Sequence, residues 1–278
     1  MSDVIFGLPF EKYQRLPGIN RSALAEIFKT PADCLHAIQH PNRKETPSLK
    51  FGRLVHLAVL EPQVFQETIK FLPEIHGRDK AGRRRATASE KEFEEKLRAD
   101  NPGCEFIDFE EWQTISMIAK NCHRHSIIGP AIKEGYPEVT LVWQHNGIDC
   151  KARLDLLCDS NILDLKTTTD VHEFKSSVYS WGYHYQAAWY LWGAKECGLN
   201  CQNFIFFAVD KNPPYNIKTI QLSPSALELA HHKNLKALEL YKQCQETNSW
   251  PGYPEVVETV ELPGYLMSEF TEMKAKEV

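Results

Sequence analysis

The chain has 278 residues and a formal net charge of -5, with 42% hydrophobic and 25% charged residues. That length can bury a substantial core, and the acidic balance excludes a protein that coats nucleic acid indiscriminately while still permitting local basic surface. No apolar run is long enough to span a bilayer and no secretory leader is recognisable, so a cytoplasmic protein without membrane attachment is expected, its eight cysteines reduced.

Residues 22–40 read as a helix with Ser22 as N-cap, and a second helix over 49–60 carries His56. Helical spacing puts Gly52, Val55, His56 and Val59 on one side, where His56 taken alone is a satisfied, partly buried histidine. The exposed segment from His76 to Arg85 follows. Its Arg78, Lys80, Arg83, Arg84 and Arg85 are candidate DNA contacts, although such runs are usually only solvated loops. Amphipathic helices are expected near 89–99 and 109–124. Cys122-His-Arg-His125 offers soft ligands at short spacing, but nothing nearby completes a zinc site, which leaves a solvated helix end.

The next two segments, Glu138 to His145 and Ile148 to Leu157, alternate in polarity around Asn146-Gly147, the signature of a two-residue hairpin turn. That turn pairs His145 with Ile148 and brings Glu138 opposite Asp155. One face carries Val139, Leu141, Trp143, Ile148, Cys150, Ala152 and Leu154 as a core layer. The other carries Glu138, Thr140, Gln144, Asp149, Lys151, Arg153 and Asp155, with Lys151 and Arg153 as further candidate DNA contacts. Opposed carboxylates have Cβ atoms roughly 5 Å apart. At that distance two charges repel by about 3 kcal/mol at an effective dielectric of about 20. A shared proton, a bulge or solvent exposure would relieve the repulsion; so would a divalent cation between Glu138, Asp155 and Asp164, an oxygen set suited to Mg²⁺ or Mn²⁺.

A third strand-like run, beginning at Asn161, ends in Asp164-Leu-Lys166. In an extended chain residues two apart share a face, so Asp164 and Lys166 project together while Leu165 turns into the core. A carboxylate for a hard cation beside an ammonium donor suits metal-assisted phosphodiester hydrolysis. Helices over 171–179 and 183–197, strands over 203–209 and 216–222 and a helix over 225–245 complete the pattern, with a loose polar tail after Tyr265. Gln186 and Tyr190 lie one helical turn apart, beside Tyr183 and Ala187.

In this order, Glu138, Arg153-Leu-Asp155, Asp164-Leu-Lys166 and Gln186-Ala-Ala-Trp-Tyr190 resemble the PD-(D/E)XK nuclease superfamily in its RecB-like branch. Upstream, Gly52-Arg-Leu-Val-His56 and Leu60-Glu-Pro62 are similar to that branch's histidine motif. The likeness is greatest to RecE-like exonucleases and spans roughly residues 19–265. It implies an α/β fold, a central mixed sheet flanked by helices, as a single domain over 1–265: a helical region over about 19–133, a catalytic core over about 134–250, and a tail over 266–278.

The resemblance further implies that His56, Asp155, Asp164 and the Leu165 carbonyl bind Mg²⁺, with Mn²⁺ as substitute, and that Glu138 completes or supports the site. Lys166 would orient and help deprotonate the attacking water or stabilise charge on the phosphate. Gln186 and Tyr190 would hold the DNA backbone or a catalytic water. Some RecB-like nucleases carry a four-cysteine iron-sulfur cluster. Here Cys34, Cys197, Cys201 and Cys244 lack the required clustering, so no cluster is expected. The implied activity is resection of linear double-stranded DNA from 5′ ends, leaving 3′ single strands for recombination. A ring-shaped homotetramer, a RecT-like annealing partner and a phage or prophage origin go with it. An endonuclease, a single-strand-preferring nuclease and a non-catalytic DNA-binding module are the alternatives.

Overall fold

The computed structural model describes residues 2–41, 45–72 and 87–276. The basic positions Arg78, Lys80, Arg83, Arg84 and Arg85 lie outside the described residues. Strand β1 (Asp3–Ile5), helix α1 (Phe10–Arg15), strand β2 (Ile19–Asn20), and helices α2 (Arg21–Ala25) and α3 (Pro31–Gln39) open the chain. The single helix expected over 22–40 is therefore divided. Asn20, not Ser22, caps α2 by accepting from the Ala23 amide at 2.8 Å. Pro31 disfavours helical backbone at Thr30, which instead becomes the cap of α3.

Helices α4 (Pro47–Leu60) and α5 (Pro62–Thr68), strand β3 (Ile69–Leu72), helix α6 (Ala88–Asp100), strand β4 (Glu105–Asp108), and helices α7 (Phe109–Arg124) and α8 (Ile128–Glu134) follow. Strands β3 and β4 form a separate parallel pair that periodicity did not disclose, being four residues each. At the end of α7, His123 bonds the Val59 carbonyl and His125 Nδ1 accepts from the Ile127 and Ile128 amides. The Cys122–His125 stretch thus ties helix ends together.

The main sheet contains β5 (Tyr136–His145), β6 (Ile148–Cys158) and β7 (Asn161–Thr168), then, after helices α9 (Phe174–Ser180) and α10 (Tyr183–Glu196), β8 (Asn203–Asp210) and β9 (Ile217–Gln221). Helices α11 (Pro224–Thr247) and α12 (Gly264–Lys276) end the described chain. The tail thus includes an exposed helix where a loose segment was expected. Strand order is β1-β5-β6-β7-β8-β9, with β2 also on β6. The β7–β8 pair is parallel and β5, β6, β7 form an antiparallel meander, so the sheet is mixed, as expected.

Each sheet face carries a core. On one, Trp143, Ala152, Leu154, Phe204 and Phe206 pack with Trp189 of α10 and Leu238 of α11. On the other, Leu156, Leu163, Leu165 and Phe207 pack with Leu54 and Val55 of α4 and Ile115 of α7. The first core has a tight point: a Cβ added at Gly193 would lie 2.6 Å from the Trp143 ring. Among the described residues no helix is long and apolar enough to cross a membrane.

Candidate active site

The hairpin turn sets the expected register, from His145 opposite Ile148 to Val139 opposite Leu154. The ladder resumes at Pro137 and Leu156, leaving Glu138 and Asp155 as an interruption. Glu138 adopts a left-handed backbone, φ 55°, rare for a non-glycine residue. Face alternation breaks at the same place. Ala152 and Leu154 enter the core beside α10, whereas Leu156 and Cys158 enter the core beside α4. Asp155 therefore sits where β6 exchanges one covered face for the other, instead of forming a ladder pair with Glu138.

Next to this break, β7 supplies Asp164 and Lys166. Asp164 is 0% exposed on a strand covered on both sides, with Leu165 fully buried. Asp164 Oδ2 meets the Lys166 ammonium as an ion pair. Gln186 Nε2 donates to Asp164 Oδ1 at 2.8 Å. Tyr190 stands one turn further along α10 from Gln186, and the Tyr183 ring lies 5.1 Å from the Lys166 ammonium. The i, i+3, i+7 positions of α10 thus form one wall of the site.

Helix α4 forms the opposite wall. His56 Nε2 donates to the Leu165 carbonyl at 2.9 Å, and its Nδ1 lies 3.5 Å from Asp155 Oδ2. The Leu165 amide donates to that same Asp155 oxygen at 2.8 Å. The backbone of one residue, Leu165, therefore joins His56 through its carbonyl and Asp155 through its amide, and that residue stands between Asp164 and Lys166 in sequence.

Electrostatically the site holds more negative charge than it neutralises. Burial, reinforced by Asp155 and opposed by Lys166, pushes the Asp164 carboxyl up to about 6. Burial likewise raises Asp155, against the pull of Lys166. It raises Glu138 too, where Asp155 adds to the effect and Arg153 opposes it. Burial alone would lower the Lys166 ammonium, but Asp164 and Asp155 outweigh it and hold it above the ordinary lysine value. His56 is lowered by burial and by Lys166. Burial and Tyr13 raise the Tyr190 hydroxyl, so it remains a neutral donor.

The two basic hairpin residues are occupied within the protein. Lys151 is buried and donates to the carbonyls of Leu16 at 2.7 Å, Gln14 at 3.2 Å and Tyr13 at 3.3 Å. This corrects its assignment to the DNA-contact set: its three donors are spent on closing the N-terminal segment over β6. Arg153 donates Nε to Glu138 Oε2 and Nη1 to the Leu8 carbonyl at 2.6 Å. It thereby relieves part of the Glu138–Asp155 repulsion from within the protein, and it too has a structural task. The N-terminal partners Leu8, Tyr13, Gln14 and Leu16 went unread because they precede the motif-bearing stretch. The three-residue spacing of Phe10 and Tyr13 was their one sequence signal.

Asp155, Asp164, the Leu165 carbonyl and His56 make an oxygen-rich donor set of the kind that hard divalent cations take. Asp164 Oδ1, Asp155 Oδ2 and the Leu165 carbonyl each accept from a protein donor, and among the described residues no three His, Cys, Asp or Glu side chains converge as a metal cluster. One feature nevertheless fits a cation. Because a carbonyl only accepts, the His56 hydrogen is on Nε2, so in the neutral ring Nδ1 turns a bare lone pair toward Asp155 Oδ2. A positive charge near that pair, with Asp164 alongside, removes the conflict.

A mixed sheet whose antiparallel meander presents Asp155 and Asp-x-Lys between two helical walls defines the PD-(D/E)XK class of fold. A family model described as a PDDEXK-like domain of unknown function (DUF3799) matches residues 21–263. The chain belongs to that family. It is also similar to the crystal structure of a protein from Eubacterium rectale that is provisionally described as an exonuclease. The TM-score is 0.61 at 15% identity, covering 95% of this chain and 98% of that one. That likeness concerns the fold. No curated protein sequence matches the chain.

Proposed function

We propose that the chain is a Mg²⁺-dependent exodeoxyribonuclease that degrades linear double-stranded DNA from 5′ ends and leaves 3′ single strands for recombination. The observation that carries this reading is the gathering of Asp155, Asp164, Lys166 and His56 around the Leu165 peptide. The family match and the fold of the Eubacterium rectale protein support nuclease chemistry in general. End dependence and 5′ polarity rest on the RecE-like motifs, as do a ring-shaped tetramer and a RecT-like partner.

Asp155, Asp164, the Leu165 carbonyl and His56 would hold Mg²⁺, with Glu138 supporting Asp155. Bound there, the ion supplies Lewis-acid polarisation of phosphoryl oxygen and lowers the pKa of an attacking water. Lys166 points an ammonium at that water and at charge developing on the phosphate. Gln186 fixes Asp164, and Tyr190, on the same wall of α10, would hold the DNA backbone or a catalytic water. Hydrolysis joins the water oxygen to phosphorus and breaks one P–O ester bond. One water proton goes to the departing sugar oxygen and the other to phosphate or solvent.

The test uses purified protein, Mg²⁺, and end-labelled linear duplex beside covalently closed circular duplex. Linear DNA is expected to lose its 5′ label first while the closed circle survives. Affinity is expected to fall roughly tenfold or more between about 50 and 200 mM salt if several phosphates are contacted. Efficient cutting of the closed circle would point to an endonuclease instead.

A further inference from the structure

Two residues before Tyr183, the turn between α9 and α10 holds a tryptophan in water. Trp181 is 74% exposed, and Tyr179, two residues earlier, is exposed as well. An isolated exposed aliphatic residue needs no explanation, but a large aromatic presented this openly is characteristic of recognition surfaces. The turn is well anchored. Phe174 and Val178 of α9 are buried, and Gly182 takes the left-handed backbone, φ 69°, that starts α10. Only one residue past that glycine, Tyr183 covers the Lys166 ammonium, and Gln186 bonds Asp164.

Positive charge lies behind the same turn. Arg21 is 8% exposed, its Nε has no hydrogen-bond partner, and its guanidinium stands 5.0 Å over the Tyr185 ring. A Cβ added at Gly182 would come within 3.7 Å of this guanidinium. Phe28, exposed just ahead of α3, packs on the same Tyr185 ring, with the two ring centroids 5.9 Å apart. Aromatic surface with a cation in low dielectric behind it suits a ligand that alternates flat π-faces with negative charge. A nucleic acid strand has that alternation, with one base and one phosphate per step.

We propose that the Trp181 turn is a substrate subsite, in which Trp181 stacks on a nucleobase of the strand whose phosphodiester lies at Asp155, Asp164 and Lys166. The inference rests on the nuclease reading above and deepens it, by assigning a residue that positions the strand. Trp181 holds a base, Gly182 sets the turn, and Arg21 adds a positive field toward the adjoining phosphates. Stacking of this kind tolerates any base, since every base has a π-face.

The test separates this subsite from the chemistry. In an Asp155→Asn background, which stops hydrolysis, duplexes carrying 2-aminopurine near one 5′ end are titrated with protein. Quenching of the probe is expected, and Trp181→Ala in that background should abolish it and weaken binding about tenfold, with Trp181→Phe intermediate. In otherwise wild-type protein, Trp181→Ala should raise KM about tenfold while the saturating single-turnover rate stays within about twofold. Equal quenching and equal KM with and without the indole overturn the subsite. So does a changed oligomeric state at unchanged DNA affinity, which would make Trp181 a contact between copies. Probe quenching that depends on Trp181, in a protein that cleaves no DNA, would instead sink the nuclease reading while upholding the subsite.

Discussion

His56 Nδ1 faces Asp155 Oδ2 at 3.5 Å, while Nε2 of the same ring donates to the Leu165 carbonyl at 2.9 Å. Burial and Lys166 keep the ring below its ordinary pKa, so the neutral form presents a lone pair to a carboxylate. That opposition calls for a proton or a cation. His56→Ala is therefore expected to weaken Mg²⁺ binding about 10- to 100-fold, read by isothermal titration, with the fold intact by circular dichroism. Unchanged affinity would remove His56 from the site.

Lys166 and Asp164 form a buried pair in which each compensates the other's charge. Lys166→Ala leaves Asp164 uncompensated and is expected to destabilise the metal-free protein by about 3 kcal/mol, read by denaturant unfolding. Its single-turnover cleavage rate should also fall at least about a hundredfold. Lys166→Met combined with Asp164→Asn should recover much of the stability and none of the activity. A single alanine variant that cleaves at the wild-type rate would take Lys166 out of the mechanism.

Asp164 gives the pH dependence its sign. Its folded pKa of about 6 lies above the ordinary 3.8, so between those values the folded state binds more protons than the unfolded state. Metal-free stability from this group is fully present below about pH 4 and is lost as pH rises through about 6. Mg²⁺ competes with that proton, so the stabilisation it gives should grow from pH 5 to pH 7. Melting curves with and without Mg²⁺ across that range check this, and an equally large metal-induced shift at pH 5 would contradict it.

Away from the site, Lys151→Met is expected to cost about 2 kcal/mol, because the carbonyls of Tyr13, Gln14 and Leu16 lose their shared donor. Amide exchange should quicken near residues 13–16 while the salt dependence of DNA binding stays unchanged. A flatter salt slope in this variant would return Lys151 to the DNA-contact set.

Gly193→Ala sets a methyl against the Trp143 ring at 2.6 Å. Overpacking there should cost about 1–3 kcal/mol, read from the denaturant midpoint. A wild-type midpoint would mean that this core gives way freely.

The hairpin register was legible because Asn146-Gly147 fixes it locally and the alternation up to Leu154 is undisturbed. Asp164 and Lys166 were legible for the same reason, since a two-residue spacing on a strand determines a shared face. The exchange of faces at Asp155 was not, because it depends on Glu138 adopting left-handed backbone, for which a glutamate gives no local signal. Nor was the burial of Lys151: a hairpin face reads as solvated unless the sequence shows what will cover it, and the cover comes from residues more than a hundred positions away.

The most direct measurement is single-turnover cleavage of a 5′-labelled linear duplex by the wild type in Mg²⁺, by the wild type in excess chelator, and by Asp155→Asn in Mg²⁺. Hydrolysis confined to the first reaction, with at least about a hundredfold loss in the other two, is the expected result. Turnover in excess chelator, or by Asp155→Asn at the wild-type rate, would contradict a metal-dependent nuclease built around the Leu165 peptide.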